Sequence, residues 1–179
     1  MLVGGPLAVG KTTLIRSVSD IPTLHTDETM TQAAAGADPL GPGLPAKTTT
    51  TVAIDFGRLT LHEARIVLYL FGTPGQSRFR PLWDGIVEGA LGALVLADTS
   101  RLEESFPVMD LCEERGLPYA VAVNQFPHAP RVPPDTLRAS LDLADETPLV
   151  SCDARERSSA LDALITLTAR LVHHAGATR

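Results

Sequence analysis

The chain has 179 residues, 44% of them hydrophobic and 20% charged, with a net charge of −6. That length favours one domain spanning 1–179 with room for a core, and the acidic balance argues against nucleic-acid binding, which needs basic surface. No apolar run approaches the roughly 18–20 residues of a membrane span, no signal-peptide pattern opens the chain, and Cys112 and Cys152 suggest neither a disulfide framework nor a metal pattern with the scattered histidines.

Residues 1–3 read as the end of a buried strand. Gly5-Pro6-Leu7-Ala8-Val9-Gly10-Lys11-Thr12 follows and fits G-x-x-x-x-G-K-[ST], the loop that cradles phosphates. The glycines let the backbone wrap an anion, and the N–H groups of Gly5, Leu7, Ala8, Val9, Gly10, Lys11, Thr12 and Thr13 are the candidate cradle. Lys11 is one of only two lysines against thirteen arginines, and supplies a point charge for the outer phosphates. The Thr12 hydroxyl is placed to reach Mg²⁺, and a helix over 14–18 turns its positive end to the same phosphates.

Residues 22–51 carry little periodicity, which predicts either a surface insertion or a switch loop ordered by nucleotide. Strands are expected over 52–56, 66–71, 94–97, 120–123 and 148–150, and helices over 81–88, 102–115, 134–143 and 158–172. In the last helix, Leu161, Leu164, Ile165, Thr168 and Leu171 share the face expected to be buried. Apolar strands alternating with helices indicate a mainly parallel α/β sheet, whose ligands bind at the carboxyl ends of strands.

After the strand ending at Phe71 comes Gly72-Thr73-Pro74-Gly75-Gln76. Here the chain resembles the Ras-like small GTPases, whose second switch begins D-x-x-G-Q. It resembles more closely the bacterial gliding-polarity GTPases and the actinobacterial conservon GTPases. The stretches 47–57, 70–76, Asn124-Gln125-Phe126 and Ser151-Cys152-Asp153-Ala154-Arg155 carry the conservon likeness, which covers essentially the whole chain. The resemblance implies an α/β P-loop small-GTPase fold, with a six-stranded, mostly parallel sheet whose second strand is antiparallel, flanked by helices. It implies GTP and GDP as ligands, Mg²⁺ as cofactor, and slow hydrolysis. Gln76 is then the catalytic residue that orients water, and Gly75 contacts the γ-phosphate. Asn124, Gln125, Ser151, Cys152 and Asp153 read the base, while Thr12, Thr51 (or Thr50) and Asp55 serve the metal.

The resemblance also implies a homodimeric Roadblock-domain partner within a cytoplasmic sensor-kinase complex. That partner docks on the switch regions, where Phe79, Leu82 and Trp83 form an apolar cluster, and any peripheral membrane recruitment runs through partners. Arg78 and Arg80, near Gln76, read either as partner contacts or as an internal arginine finger.

Three departures from the family pattern bear on activity. Gly72 stands where a metal-assisting carboxylate is usual, with Asp55 the candidate substitute, directly or through water. Pro127 stands where an aspartate accepts both guanine N–H donors, with His128 or Asp153 the candidate compensation. Asp153 itself stands where a lysine is usual. A pseudo-GTPase interaction module with weak or no nucleotide binding therefore remains the second reading, ahead of a metabolic P-loop kinase.

Overall fold

A computed structural model describes residues 1–31, 49–74, 85 and 87–177, with backbone alone for 25–31, 49–53 and 174–177. Its strands are β1 (Leu2–Gly4), β2 (Leu24–Thr31), β3 (Thr49–Leu61), β4 (Ile66–Gly72), β5 (Ala93–Ala97), β6 (Tyr119–Asn124) and β7 (Leu149–Cys152). They form one sheet in the order β2-β3-β4-β1-β5-β6-β7. The described helices are α1 (Lys11–Val18), α2 (Phe106–Glu114), α3 (Pro134–Ser140) and α4 (Arg157–Ala177), with a 3₁₀ turn at Leu102–Ser105 before α2.

All six expected strands are present, and the second of them, β3, runs antiparallel to β4 while β1 pairs in parallel with β4 and β5. A seventh strand, β2, pairs antiparallel to the outer side of β3 within the segment read as a loop. Its sequence, Leu-His-Thr-Asp-Glu-Thr-Met-Thr, has no long apolar run to announce a strand, and its partnership with β3 is a long-range fact. Pairing with β2 over 49–56 and with β4 over 55–61 makes β3 longer than 52–56, and it turns into β4 past Arg65, which has a φ of 54°.

Alternation along the central strands sorts the core into two layers. Leu94 and Leu96 of β5 and Ala120 and Ala122 of β6 face α1 and α4, meeting Leu14, Ile15, Leu164 and Leu167. Ala93, Val95, Tyr119 and Val121 face the other way, against Val108, Met109, Leu111 and Leu141. The buried stripe of α4 is Ala160, Ala163, Leu164 and Leu167, all 0–1% exposed, and Ile165 is 47% exposed. Of the expected stripe, Leu164 is buried and Leu161 and Leu171 pack against the core, while Ile165 turns outward and Ala160, Ala163 and Leu167 complete the face. Alanines at 160 and 163 share the core layer with alanines at 120 and 122, and small residues are poor markers of a buried face in a hydropathy pattern.

The expected helix over 102–115 begins instead as a 3₁₀ turn. Pro107 sits in the first turn of α2, where its missing N–H costs nothing. The helix expected over 134–143 stops at Ser140, and Asp142 adopts a φ of 48°. Most of the helix expected over 81–88 lies outside the described residues. Among the described residues, no helix is long and apolar enough to cross a membrane.

Leu164 is fully buried between α4 and the sheet. Leu164→Ala is expected to cost about 2–5 kcal/mol of unfolding free energy, since the cavity closes only in part; urea denaturation followed by circular dichroism measures it.

Candidate functional site

The chain changes sides of β1 between β4 and β5, so the carboxyl ends of β1 and β5 mark the crevice where such sheets bind ligands. The loop from Gly5 to Gly10 leaves β1 at that point and enters α1 at Lys11. Five of its six carbonyls have named partners. Lys11 Nζ donates to Gly5 O at 2.8 Å and to Pro6 O at 2.6 Å. Arg101 Nη2 donates to Leu7 O at 2.7 Å, and Asn124 Nδ2 donates to Val9 O at 2.9 Å. Gly10 O accepts the first helical bond, from Leu14 N, at 2.8 Å. In a trans peptide the next N–H points opposite to its carbonyl. With Leu7 O and Val9 O held outward, the N–H groups of Ala8 and Gly10 are turned the other way, as an anion cradle requires.

Gly10 has a φ of 108°, and a Cβ there would come within 2.6 Å of Asn124 Nδ2. The glycine is therefore fixed twice, by its backbone and by the brace behind it. Lys11 is 9% exposed, and burial pushes its ammonium down to about 8; Asp55 opposes that shift and Arg101 adds to it.

Beside Lys11, the Thr12 hydroxyl donates to Asp55 Oδ2. Asp55 is buried on β3 and sits opposite Gly72 of β4. A Cβ at 72 would stand 3.0 Å from Asp55 Cβ and 3.1 Å from Ile15 Cδ1. The missing side chain at 72 is thus the space through which Asp55 reaches Thr12. The pair consists of oxygen donors at the mouth of the loop, the chemistry a magnesium ion takes.

The other end of the site is built on Asn124, which is 5% exposed. Its Nδ2 holds Val9 O, and its Oδ1 accepts from Ala154 N at 2.9 Å. Gln125 Nε2 donates to Ser151 Oγ at 2.7 Å. Asp153 N donates to Ser159 Oγ at 2.9 Å, so that N–H is engaged within the protein. The Asp153 carboxylate accepts from Arg155 at 2.7 and 2.9 Å, which holds it down at about 2. Cys152 is fully buried, and burial pushes its thiol up to about 11.

A pocket of about 660 Å³ lies against Asn124, Gln125 and Ser151, and its other lining includes Phe126, Pro127 and Arg131. Among the described residues no carboxylate lines it. His128 is exposed and does not line it. Neither candidate for compensating Pro127 therefore presents a free acceptor there.

The structure brings together Gly5 through Thr13 with Asp55, and Asn124, Gln125 and Ser151 with Cys152 and Asp153. Gly75, Gln76, Arg78, Phe79, Arg80, Leu82 and Trp83 lie outside the described residues, as do the side chains of Thr50 and Thr51. Sequence reasoning missed Asp98 and Arg101, which follow β5 and support the loop. The available signal was a polar Asp-Thr-Ser-Arg directly after a fully apolar strand.

Residues 3–174 match the family described as "Conserved hypothetical ATP binding protein", and the chain belongs to that family. It is 36% identical over 77 residues to the uncharacterized protein MJ1339 of Methanocaldococcus jannaschii, a stretch of 42% of this chain and 49% of that one. Its fold is similar to the cytosolic domain of the T. maritima FeoB iron transporter. In GDP form I the TM-score is 0.66 at 15% identity, over 95% of this chain and 62% of that one. In the GMPPNP form it is 0.64 at 17% identity, over 97% and 62%. The cytosolic domain of L. pneumophila FeoB gives 0.58 at 17% identity, over 92% and 68%. The chain thus has the nucleotide-binding, GTPase-like P-loop fold, and spans about half of MJ1339 and under two thirds of the T. maritima domain.

Asn124→Ala is expected to lower stability by about 1–3 kcal/mol, because Val9 O and Ala154 N lose their partners. Thermal or urea unfolding checks it.

Proposed function

We propose that this member of the conserved hypothetical ATP-binding family is a nucleotide-switched regulatory small GTPase. On this reading it binds GDP and GTP with Mg²⁺ and hydrolyses GTP slowly, with help from a partner. The observation that carries the reading is the convergence of Lys11, Thr12 and Asp55 on a loop whose Leu7 and Val9 carbonyls are held by Arg101 and Asn124. The FeoB domains of the same fold, one in GDP form and one in GMPPNP form, support guanine nucleotides as ligands.

The roles follow from this placement. Lys11 leaves its loop carbonyls for the β- and γ-phosphates, and the cradle N–H groups bind the phosphate oxygens. Thr12 Oγ1 and Asp55 Oδ2, the latter directly or through water, would hold the magnesium ion, with Thr51 (or Thr50) the further ligand on the sequence pattern. Bound there, the ion would neutralise charge on the phosphates. Gln76 orients the attacking water and Gly75 contacts the γ-phosphate. Asn124, Gln125, Ser151, Cys152 and Asp153 form the base end. Resemblance to the conservon GTPases supports a Roadblock-domain homodimer docking on the switch regions, including Phe79, Leu82 and Trp83, within a cytoplasmic sensor-kinase complex.

One observation favours a second reading, an interaction module that binds nucleotide weakly or not at all. The pocket beside Asn124 offers no carboxylate among its described lining residues, and guanine recognition that lacks an acceptor for its two N–H donors loses discrimination.

Calorimetric titration with GDP, GTP and ATP, with and without EDTA, separates the readings. The switch predicts GDP binding that Lys11→Ala weakens by about 100-fold or more, since charge-assisted bonds are lost. Asp55→Ala is expected to weaken binding in Mg²⁺ and leave it unchanged in EDTA. Equal ATP and GTP affinities would assign the base end no selectivity, and failure of all three to bind would establish the module. Phosphate release tests Gln76 separately: Gln76→Leu is expected to slow hydrolysis by about tenfold or more with affinity retained.

A further inference from the structure

We propose that Arg101 is a positioning residue that clamps the apex of the phosphate loop, Leu7 and Ala8, through the Leu7 carbonyl. The apex has little support of its own. Leu7 is 55% exposed, so its side chain gains little from burial. Ala8 is exposed and has a φ of 59°, a region unfavourable to a residue with a Cβ. The flanking positions differ: Pro6 is buried, Val9 is 0% exposed, and their carbonyls are held by Lys11 and Asn124.

Arg101 is itself anchored. Its Nε donates to Asp98 Oδ2 at 3.2 Å, its Nη1 to Glu104 Oε2 at 3.0 Å, and its Nη2 to Leu7 O at 2.7 Å. Asp98 is 6% exposed, and its other oxygen accepts from Ser100 N at 3.0 Å and Ser100 Oγ at 2.6 Å. These bonds and the guanidinium hold the Asp98 carboxyl below its ordinary range in spite of burial. Because β5 pairs with β1, the segment after β5 lies beside the loop after β1. A guanidinium bonded through Nε and both terminal nitrogens is a brace, in contrast to a finger held ready for a phosphate. The planar fork offers Asp98, Glu104 and Leu7 three separate nitrogens in fixed directions, whereas an ammonium carries its three donors on one atom at the end of a flexible stem.

The consequence for nucleotide affinity rests on the function proposed above; the consequence for the loop does not. Amide hydrogen exchange read by mass spectrometry over residues 5–13, beside binding of fluorescent GDP and GTP, tests both. Arg101→Gln is expected to speed exchange in that segment by about tenfold or more. The β5 and β6 peptides should be unchanged, both nucleotides should lose about tenfold in affinity, and kcat of bound GTP should be retained. Arg101→Lys should fall between wild type and Arg101→Gln in both readouts. Asp98→Asn, which keeps the shape of the anchor, should shift them in the same direction and covers the case in which Arg101→Gln does not fold. Unchanged exchange in the folded variants overturns the clamp. Intact affinity with slowed hydrolysis also overturns it, and marks Arg101 as a finger. Wild-type protein that binds neither nucleotide sinks the nucleotide reading alone, and the exchange measurement still decides the clamp.

Discussion

Asn124 sits at the carboxyl end of β6, and its single amide holds two loops at once. Nδ2 fixes Val9 O in the phosphate loop, and Oδ1 fixes Ala154 N in the turn after β7. A buried amide that lost either partner would leave an unsatisfied polar group, so the two loops are coupled energetically as well as spatially. Gly10 is subordinate to this brace, because the amide occupies the space a Cβ would need. The dependence runs outward from there. With Val9 O fixed, the N–H of Gly10 is aimed; with Gly10 placed, α1 starts where it does, and Lys11 and Thr12 emerge at the loop mouth.

The acidic group at that mouth shows the same economy. On the usual small-GTPase pattern the carboxylate would come from position 72. Here it comes from the neighbouring strand, and Gly72 makes the room it needs. The two positions are cross-strand partners, so moving the carboxylate from one to the other displaces it by about one strand spacing. Such an exchange requires both changes together. A side chain at 72 would press on Asp55 and Ile15 at 3.0–3.3 Å and require them to shift, and a glycine at 72 without Asp55 would leave Thr12 without the carboxylate it bonds. On the proposed reading Gly72 is a compensated departure, whereas Pro127 has no counterpart of this kind among the described residues.

Legibility followed the range of the interactions involved. Gly5 through Thr12 could be read directly because a local backbone requirement is written in consecutive residues. Asp55 was reachable through register, since strand pairing is regular once β3 and β4 are assigned. The strand β2 was not legible, because its sequence lacks a continuous apolar run and its existence depends on β3. The stripe of α4 was incompletely read because Ala160 and Ala163 bury fully while adding little to an apolar signal. The polar run after β5 marked the place of Arg101 but not its role, for a different reason. Its partner is a main-chain carbonyl 94 positions away, and no side-chain pattern marks a carbonyl.

The two ends of the site are unequally built, and that asymmetry bears on what the protein can recognise. At the phosphate end, Lys11, Arg101 and Asn124 act on the loop from three directions, and Thr12 and Asp55 add oxygen donors. At the base end, Ser159 takes the Asp153 N–H, Arg155 takes the Asp153 carboxylate, and Ser151 takes the Gln125 amide. Those groups must exchange an internal partner for a ligand, so each contact they make is offset by one they lose. The phosphate cradle bears a smaller cost, because the N–H groups of Ala8 and Gly10 are turned in advance and only Val9 N must leave an internal partner, Pro6 O, while Lys11 moves from neutral carbonyls to charged oxygens. On the proposed reading, most of the affinity would therefore come from the phosphates, and the switch would respond to phosphate number more sharply than to the identity of the base.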